Sequence, residues 1–337
     1  MMSRWIKNAA LVCSVAVGFF YAQVLWAAPV SGIFTAERFC PAYVSKNKQT
    51  NPDSAQIVAG ERYRAFEANK SDNPGWYRIR VPSAEPKERW VSVDCGKFQA
   101  GDPGGNETGG NACNVAGQGD SYVLVLSWQS AFCETKPQKP VCRLTDPSAY
   151  QARHFTLHGL WPNKQACGGS YGFCGEIKMQ ERDFCDYPEV VLTPLFHYAL
   201  AQVMPSVEVG SCLERHEWHK HGTCQTDWSA EEYFQVSVDL TRQFNDAGMA
   251  YFMNRKIGRE VRTEDFLTRL AAVLGPGARE RIKLECEQGM LVEVQMSLRG
   301  GLTPGADLEV LIAQAPKRSG SDCGSHFRVD PIGLSSQ

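Results

Sequence analysis

The sequence predicts an α+β protein that is preceded by a small all-β region. Strand-like and helix-like patterns are intermixed after residue 120, without the strict strand–helix–strand rhythm of an α/β protein. The residues between 29 and 98 instead show only short strand patterns and turns. A stretch with eight glycines, residues 96–119, separates the two parts. We therefore expect a small β domain at 29–98, a glycine-rich linker at 99–119 and a larger domain at 120–337.

The composition is that of a folded protein without a large excess of either charge. Of the 337 residues, 43% are hydrophobic, and 35 basic residues face 37 acidic ones, which gives a formal net charge of −2. This balance argues against a disordered chain and against a protein that covers nucleic acid through an overall basic excess. Any polyanion that this chain binds must therefore be held by a local site.

The first 28 residues have the layout of a secretory signal peptide. Arg4 and Lys7 form a positive start, Ala9–Leu25 is largely apolar, and Ala27 and Ala28 are small residues near a cleavage point. An uncleaved membrane anchor is the alternative, because the apolar run approaches the length of a short spanning helix. We expect cleavage, a secreted or periplasmic protein, and no stable association with the membrane afterwards.

Twelve of the thirteen cysteines follow this segment. An even number of cysteines behind an export signal indicates disulfides that form in an oxidising compartment. Spacing does not fix their connectivity, but Cys40 with Cys95 and Cys286 with Cys323 are the preferred outer pairs, because each would close one end of the chain. Zinc binding is the competing interpretation, and it is disfavoured because the sequence contains no Cys-x-x-Cys pair.

Turn signals divide the N-terminal region into short strands. Side chains alternate in character at Trp76–Val81 and Trp90–Val93, as they do when successive residues of a strand face opposite sides. Turn residues at 73–75 and Pro82 bound the first of these strands. We expect a small β-barrel of the SH3-like kind.

The larger part contains both strand and helix patterns. Tyr122–Leu126 is a continuous apolar run that predicts a buried strand, and Phe155–His158 and Met290–Leu298 alternate. Leu308–Ile312 is expected to be the last strand. Helices are expected at Leu195–Val203, from the capping box at Ser229 toward Phe244, and from Thr263 toward Leu274.

Segment 155–162, with the sequence FTLHGLWP, carries the first group of chemically active side chains. On a strand, His158 shares a face with Thr156 and lies opposite the core. We expect the strand to break from Gly159 onward. This break leaves Trp161 on a loop, where its flat ring can stack on a nucleic-acid base.

Segment 216–224, with the sequence HEWHKHGTC, carries the second group. On a helix with about 100° per residue, one face contains His216, Glu217, Lys220 and His221. Cations that share a face repel one another, so a bound phosphate would explain this arrangement. A zinc protease would show His-Glu-x-x-His, but Lys220 occupies the fifth position here. We therefore expect neither a metal ion nor another cofactor.

The two segments, HGLWP at 158–162 and HEWHKHGTC at 216–224, resemble the active-site segments of the ribonuclease T2 family in order and separation. A strand followed by Trp128 and Gln129, and the cysteine-rich middle, are also similar to that family. The resemblance covers about residues 120–330 and does not extend to 33–119. It implies an antiparallel central sheet with surrounding helices.

The resemblance further implies an endoribonuclease that cleaves single-stranded RNA without a metal ion. The 2′-hydroxyl attacks the adjacent phosphorus and gives a 2′,3′-cyclic phosphate, which is then hydrolysed to a 3′-phosphate. Histidine suits the proton transfers, because its free pKa of about 6.5 makes both protonation states accessible. The implied roles are His221 as base, His158 as acid, His216 at the phosphate, Glu217 and Lys220 at the transition state, and Trp161, Asn163, Trp128 and Gln129 at the substrate.

Asn163 bears on base preference, because some relatives carry aspartate at this position. Aspartate only accepts hydrogen bonds, whereas asparagine also donates. We therefore expect low base specificity rather than a strong preference for adenine. The need for one charged and one neutral histidine also predicts a bell-shaped pH profile on the acidic side.

Two other functions remain open from the sequence. The first is a non-catalytic secreted binding protein that retains the ribonuclease fold and acts through its small β domain. An inactive relative would be expected to lack a catalytic histidine, and none is missing here. The second is a metallohydrolase, which EDTA would inactivate. We expect a monomer whose partner is single-stranded RNA.

Overall fold

The computed structural model describes residues 28–82, 84–100, 113–318 and 320–333. The predicted signal peptide, apart from Ala28, and the middle of the predicted linker lie outside these residues. Within the described ranges, none of the helices combines the length and the apolar character that a bilayer crossing requires.

The N-terminal region is all β, as predicted. The strands are β1 (Ala28–Ala36), β2 (Cys40–Pro41), β3 (Gln56–Ile57), β4 (Arg62–Ala68), β5 (Trp76–Arg80), β6 (Glu88–Ser92) and β7 (Gly96–Ala100). The main sheet is antiparallel with the strand order β6-β5-β4-β1-β7, and β2 pairs separately with β3. On β5, the buried Tyr77 and Ile79 alternate with the half-buried Arg78, which confirms the expected strand pattern. The SH3-like arrangement stays a prediction.

A second, larger sheet forms the centre of the chain after residue 120. The strands are β8 (Ser121–Ser127), β9 (Thr156–Asn163), β10 (Glu260–Arg262), β11 (Ile282–Glu287), β12 (Met290–Arg299), β13 (Gly320–Ser321) and β14 (His326–Arg328). The main strands are antiparallel in the order β9-β8-β12-β11, which confirms the predicted antiparallel central sheet. Short strands extend this sheet: β13 runs parallel to β11, β14 pairs with the start of β12, and β10 pairs with β14.

Helices accompany this sheet, and the predicted capping box opens the longest helix among the described residues. The Ser229 hydroxyl accepts a hydrogen bond from the Glu232 backbone N–H, and the Glu232 carboxylate accepts one from the Ser229 backbone N–H. The helices are α1 (Gln129–Thr135), α2 (Pro194–Val203), α3 (Pro205–Glu208), α4 (Leu213–Lys220), α5 (Ala230–Phe244), α6 (Ala250–Asn254), α7 (Thr263–Leu274) and α8 (Leu308–Ala313).

The prediction of a last strand at Leu308–Ile312 is wrong, because this segment is helix α8. The Asp307 side chain accepts a hydrogen bond from the Val310 backbone N–H at 3.1 Å and so caps the helix. The buried side chains are Leu308, Leu311 and Ile312, which have helical rather than alternating spacing. In this short, mostly apolar segment, the Asp307 cap is the feature that distinguishes a helix from a strand.

The central sheet has one face in the hydrophobic core and one face toward the candidate site. Leu124 and Leu126 on β8 lie opposite Met296 and Val294 on β12, and all four side chains are fully buried in the core. Because side chains alternate along a strand, the intervening positions of β8 and β12 face the other side. On that second face lie Ser127, Glu293 and Gln295.

Six disulfides connect the described cysteines and confirm both predicted outer pairs, Cys40–Cys95 and Cys286–Cys323. The other four are Cys113–Cys167, Cys133–Cys142, Cys174–Cys224 and Cys185–Cys212. The two ends of the predicted linker are ordered, since β7 extends to Ala100 and the Gly117 backbone N–H donates to the Cys224 carbonyl at 2.9 Å. The flexible linker therefore stays a prediction for residues 101–112.

Candidate active site

His158 lies at an irregularity of the central sheet. Strand β9 does not end at Gly159 as predicted but continues to Asn163, so Trp161 lies on a strand rather than on a loop. Val125 pairs with Gly159 and Leu126 pairs with Leu157, which leaves His158 as an extra residue in a β-bulge. Bulges reorient a side chain locally. The His158 side chain is 30% exposed, whereas the residues on both sides are buried.

The second group of site residues lies on helix α4 and the residue that follows it. Disulfides at Cys212 and Cys224 hold the two ends of this segment. His216, Glu217 and His221 are buried, with side chains directed toward β9, and Lys220 is half-buried. The helical spacing therefore brings the predicted group together next to His158.

Glu217 connects the two groups. Its Oε2 accepts a hydrogen bond from the Trp161 indole Nε1–H at 2.8 Å, and its Oε1 lies 3.6 Å from Nε2 of His158. Gly159 makes this approach possible, because a Cβ at this position would lie 1.8 Å from the Glu217 Oε2. The close approach of Glu217 therefore explains why a residue without a side chain occupies this position of the HGLWP segment.

Aromatic contacts fix the orientation of the imidazole rings. Trp161 stacks on His221 with 4.9 Å between ring centroids, and it meets His158 edge-on at 5.5 Å. Phe184 stacks on His216 at 4.2 Å, and the His216 and His221 rings are 6.3 Å apart. Trp161 therefore contacts both histidines that the sequence predicts to exchange protons with the substrate.

The two histidines that contact Trp161 have opposite pKa shifts. Burial lowers the pKa of His221 well below its usual range, and the cationic Lys220 adds to this effect. For His158, burial favours the neutral ring, but the carboxylates of Glu293 and Glu217 outweigh it and raise its pKa to about 9. At neutral pH, His158 is thus charged and His221 is neutral.

Burial also shifts the pKa values of the other two buried groups. It lowers the pKa of His216 to about 3, with a further contribution from Lys220, so this ring is neutral at physiological pH. It raises the pKa of Glu217 to about 7, so the carboxyl group exchanges its proton near neutrality. The site therefore contains two neutral imidazoles, one imidazolium and a carboxyl group that can donate or accept.

Glu293 is a site residue that the sequence analysis missed. It lies on β12, and its Oε1 contacts Nδ1 of His158. Its side chain is only 12% exposed. The signal in the sequence is a single carboxylate between Val292 and Val294, in a strand whose other polar positions are Gln295, Ser297 and Arg299. Nothing in the sequence indicates that this strand lies two strands away from His158.

A cavity of about 520 Å³ opens beside His158 and His216. Its lining includes Ser127 and Thr156 from the site face of the sheet and Gln129 from the start of helix α1. Its other lining residues include Phe132, Lys139, Arg182, Phe184 and Met204. Neither His221 nor Trp161 lines it. The cavity therefore lies on the His158 side of the site.

The structure separates the predicted substrate residues. Gln129 lines the cavity, whereas Trp128 is fully buried in the core and its Nε1–H donates to the Asp330 carbonyl at 2.9 Å. Asn163 is half-buried and donates to the Ser121 hydroxyl at 3.0 Å. Trp128 is therefore not placed to contact a substrate, and it acts as a core residue.

One group among the described residues has potential metal ligands close together. The ligand atoms of His216, Glu217 and His221 lie within 4.8 Å of one another. The twelve described cysteines are all in disulfides and provide no thiolate ligand.

Several known proteins are similar to this chain in sequence. The ribonuclease T2 family model matches residues 119–308. Ribonuclease I of Escherichia coli (strain K12) is 28% identical over 239 residues, which cover 64% of this chain and 88% of that protein. A ribonuclease of Aeromonas hydrophila is 34% identical over 133 residues, which cover 40% of this chain and 50% of that protein. The structure of ribonuclease MC1 from bitter gourd seeds, at 20% identity and a TM-score of 0.43, covers 62% of this chain and 99% of its own.

The family match spans more than half of the chain and includes both histidine segments. It does not include the N-terminal sheet. On this match, the chain belongs to the ribonuclease T2 family.

Proposed function

We propose that this protein is an endoribonuclease that cleaves single-stranded RNA by transphosphorylation and needs no metal ion. The 2′-oxygen bonds to phosphorus, the bond from phosphorus to the 5′-oxygen breaks, and a 2′,3′-cyclic phosphate and a 5′-hydroxyl result. A water molecule then opens the ring to a 3′-phosphate. The observation that carries this proposal is the pair of histidines with opposite pKa shifts, His158 and His221, which meet at Trp161.

The direction of the two pKa shifts supports the assignment of acid and base. A general base must be neutral before the reaction, and a general acid must be protonated. His221 is neutral and would take the proton of the 2′-hydroxyl. His158 is charged and would protonate the leaving 5′-oxygen through Nε2, because its Nδ1 faces Glu293.

The remaining groups would stabilise the charge that develops on the phosphorane oxygens. Lys220 supplies a cation beside the buried rings. His216 is neutral and would donate a hydrogen bond through a ring N–H, and Glu217 would donate when it is protonated. Such preorganised donors in a site that excludes water typically contribute about 3–4 kcal/mol each to transition-state stabilisation.

The cavity beside His158 would hold the nucleoside that leaves. The acid stands on the side of the leaving 5′-oxygen, and the cavity adjoins the acid but not the base. Gln129 would meet the base of that nucleoside with an amide, which both donates and accepts. On the other side, Trp161 and Asn163 would contact the base of the attacking nucleotide. An amide at each position supports low base specificity.

Mass analysis of the products from a defined RNA tests this function. We expect fragments that end in a 2′,3′-cyclic phosphate, and a loss of cleavage in folded His158→Ala and His221→Ala variants. His326→Ala, which changes an exposed histidine away from the site, should keep full activity. A folded wild-type protein that binds RNA without cleaving it would favour the non-catalytic binding protein. Loss of cleavage in EDTA that zinc restores would favour the metallohydrolase.

We also infer that the protein is exported and acts as a monomer. Six disulfides fit an oxidising compartment, and "Extracellular ribonuclease LE" of Solanum lycopersicum is among the similar proteins. Export predicts a mature N-terminus near Ala28, which N-terminal sequencing of the purified protein would identify. Light scattering of the same sample should give the mass of one chain.

A further inference from the structure

Glu293 lies where it can control the proposed acid. Its Oε1 contacts Nδ1 of His158, although one strand, β8, separates the strands that carry them. The bulge at His158 turns the ring toward this carboxylate, and the Glu293 side chain is 12% exposed. A largely buried carboxylate in hydrogen-bond contact with one imidazole nitrogen leaves the other nitrogen for the substrate.

The pairing within the sheet gives a second observation. Glu293 lies directly opposite Glu285 on β11, and like charges at opposed positions destabilise a sheet. Each carboxylate has its own cation: Lys283 Nζ lies 2.8 Å from the Glu285 Oε1, and His158 contacts Glu293. Sheet stability alone gives no reason for a carboxylate at 293, because the position opposite is already acidic.

A chain of polar contacts supports the Glu293 side chain from behind. Gln295 Nε2 lies 3.5 Å from the Glu293 Oε2 and donates to the Glu285 Oε1 at 2.8 Å. The Gln295 Oε1 in turn accepts a hydrogen bond from Arg318 at 2.5 Å. Glu293 is therefore held by an amide that is itself fixed on both sides.

We propose that Glu293 is a positioning residue for RNA cleavage, which orients His158 through Nδ1 and stabilises its charged ring while Nε2 faces the leaving oxygen. This inference rests on the proposed function, in which His158 is the general acid. Glu217 has a different role. Its Oε1 lies 3.6 Å from Nε2 of His158, the nitrogen that would face the substrate, and its Oε2 accepts a hydrogen bond from the Trp161 indole.

Several charged and titratable groups face His158, and Glu293 is the one at Nδ1. The other carboxylate, Glu217, lies 3.6 Å from Nε2. Lys220 opposes the charged ring, and His158 in turn disfavours charge on the two other histidines. The groups that act on the ring are Glu293 on β12, Glu217, Lys220 and His216 on α4, and His221 after it. Lys139, Arg182 and Asp183 line the adjoining cavity.

The test compares Glu293→Gln with Glu260→Gln, which changes an exposed carboxylate on strand β10 of the same sheet, away from Glu293 and its supporting contacts. Two substrates are needed: a dinucleoside phosphate, whose leaving group requires an acid, and a nucleoside 3′-(4-nitrophenyl phosphate), whose leaving group does not. We expect Glu293→Gln to lower kcat on the dinucleoside phosphate by about 10–100-fold, a large part of a general acid's contribution. On the nitrophenyl ester the loss should stay below about threefold, because little acid catalysis is needed.

The pH profile provides a readout that a merely structural role would not change. In Glu293→Gln the alkaline limb of kcat/KM should move to lower pH by at least about one unit, while the acid limb stays. Glu293→Asp keeps the charge and should restore the limb in part, and Glu260→Gln should leave both limbs in place. An unmoved alkaline limb, or an equal loss on both substrates, would overturn the proposal.

NMR titration of the His158 ring keeps the proposal testable if the variant is inactive. The midpoint should fall in Glu293→Gln and not in Glu260→Gln, and an unchanged midpoint in Glu293→Gln would contradict the role of Glu293. The proposed function has a separate test: if His158→Ala cleaves RNA normally, the acid assignment fails. If His158→Ala is inactive and Glu293→Gln is normal, only the inference about Glu293 fails.

Discussion

Replacement of Gly159 by alanine should displace Glu217 and reduce RNA cleavage. The new Cβ would lie 1.8 Å from the Glu217 Oε2, 2.6 Å from its Cδ and 2.7 Å from the Trp161 Nε1. Real Cβ contacts are not this short, so the carboxyl group or the strand must shift. Glu217 is fully buried and has little space into which it can move.

The magnitude follows from two contributions. Overpacking of a well-filled site costs about 1–3 kcal/mol. Loss of the hydrogen bond from Trp161 to Glu217 adds about 1.5–3 kcal/mol, the usual value for a bond to a charged group. The free energy of unfolding should therefore fall by about 2.5–6 kcal/mol. Because Glu217 would also leave the position that we propose for it at the substrate phosphate, kcat should fall by about 100-fold.

Two measurements check this prediction on the same variant. Urea denaturation gives the change in unfolding free energy, and cleavage of a defined RNA gives kcat. Gly169→Ala is the matched control, because a Cβ there meets no atom within 4 Å and should leave both quantities unchanged. If Gly159→Ala keeps the wild-type free energy of unfolding and a kcat within twofold of the wild type, the packing of Glu217 against β9 does not determine the stability or activity of the site.

Three further predictions concern the protonation of the site, its internal contacts and its independence of metal. The pH profile of kcat/KM should be bell-shaped. Its alkaline limb should lie near the pKa of His158, about 9, where the acid loses its proton, and its acid limb should lie below 6.5, where His221 gains one. The optimum should thus be closer to neutral than the sequence suggests, and a limb near pH 7 on the alkaline side would contradict the raised pKa. Trp161→Phe keeps a ring but removes the donor to Glu217, so kcat should fall about tenfold, the equivalent of roughly 1.4 kcal/mol, and urea denaturation should show that the variant stays folded. Dialysis against EDTA should leave the rate of RNA cleavage unchanged. A loss of activity that zinc reverses would show that His216, Glu217 and His221 bind a metal ion.

The sequence predicted correctly the grouping of site residues that lie within a few positions of one another in the chain. The spacing of His216, Glu217 and Lys220 on a helix brings them to one face, and the structure gives that face. The order of the two segments, together with a resemblance to a known family, also predicted that His158 and His221 would meet. These features are local, or they belong to motifs whose partners are known.

The remaining features depend on tertiary contacts that no local pattern shows. The bulge at His158 appears only once β8 and β9 are paired, so the continuation of the strand through Trp161 was missed. Glu293 approaches His158 across a strand that comes from a third part of the chain. Trp128 was expected at the substrate, together with Gln129, from the family resemblance. The structure instead buries Trp128 in the core, whereas Gln129 lines the cavity.

NMR titration of the imidazole rings in the wild-type protein tests whether His158 is the acid and His221 the base. We expect His158 to stay protonated up to about pH 9, and His221 to lose its proton well below pH 6.5. Two rings that titrate together near 6.5, or a His221 that is charged while His158 is neutral, would contradict the assignment of acid and base.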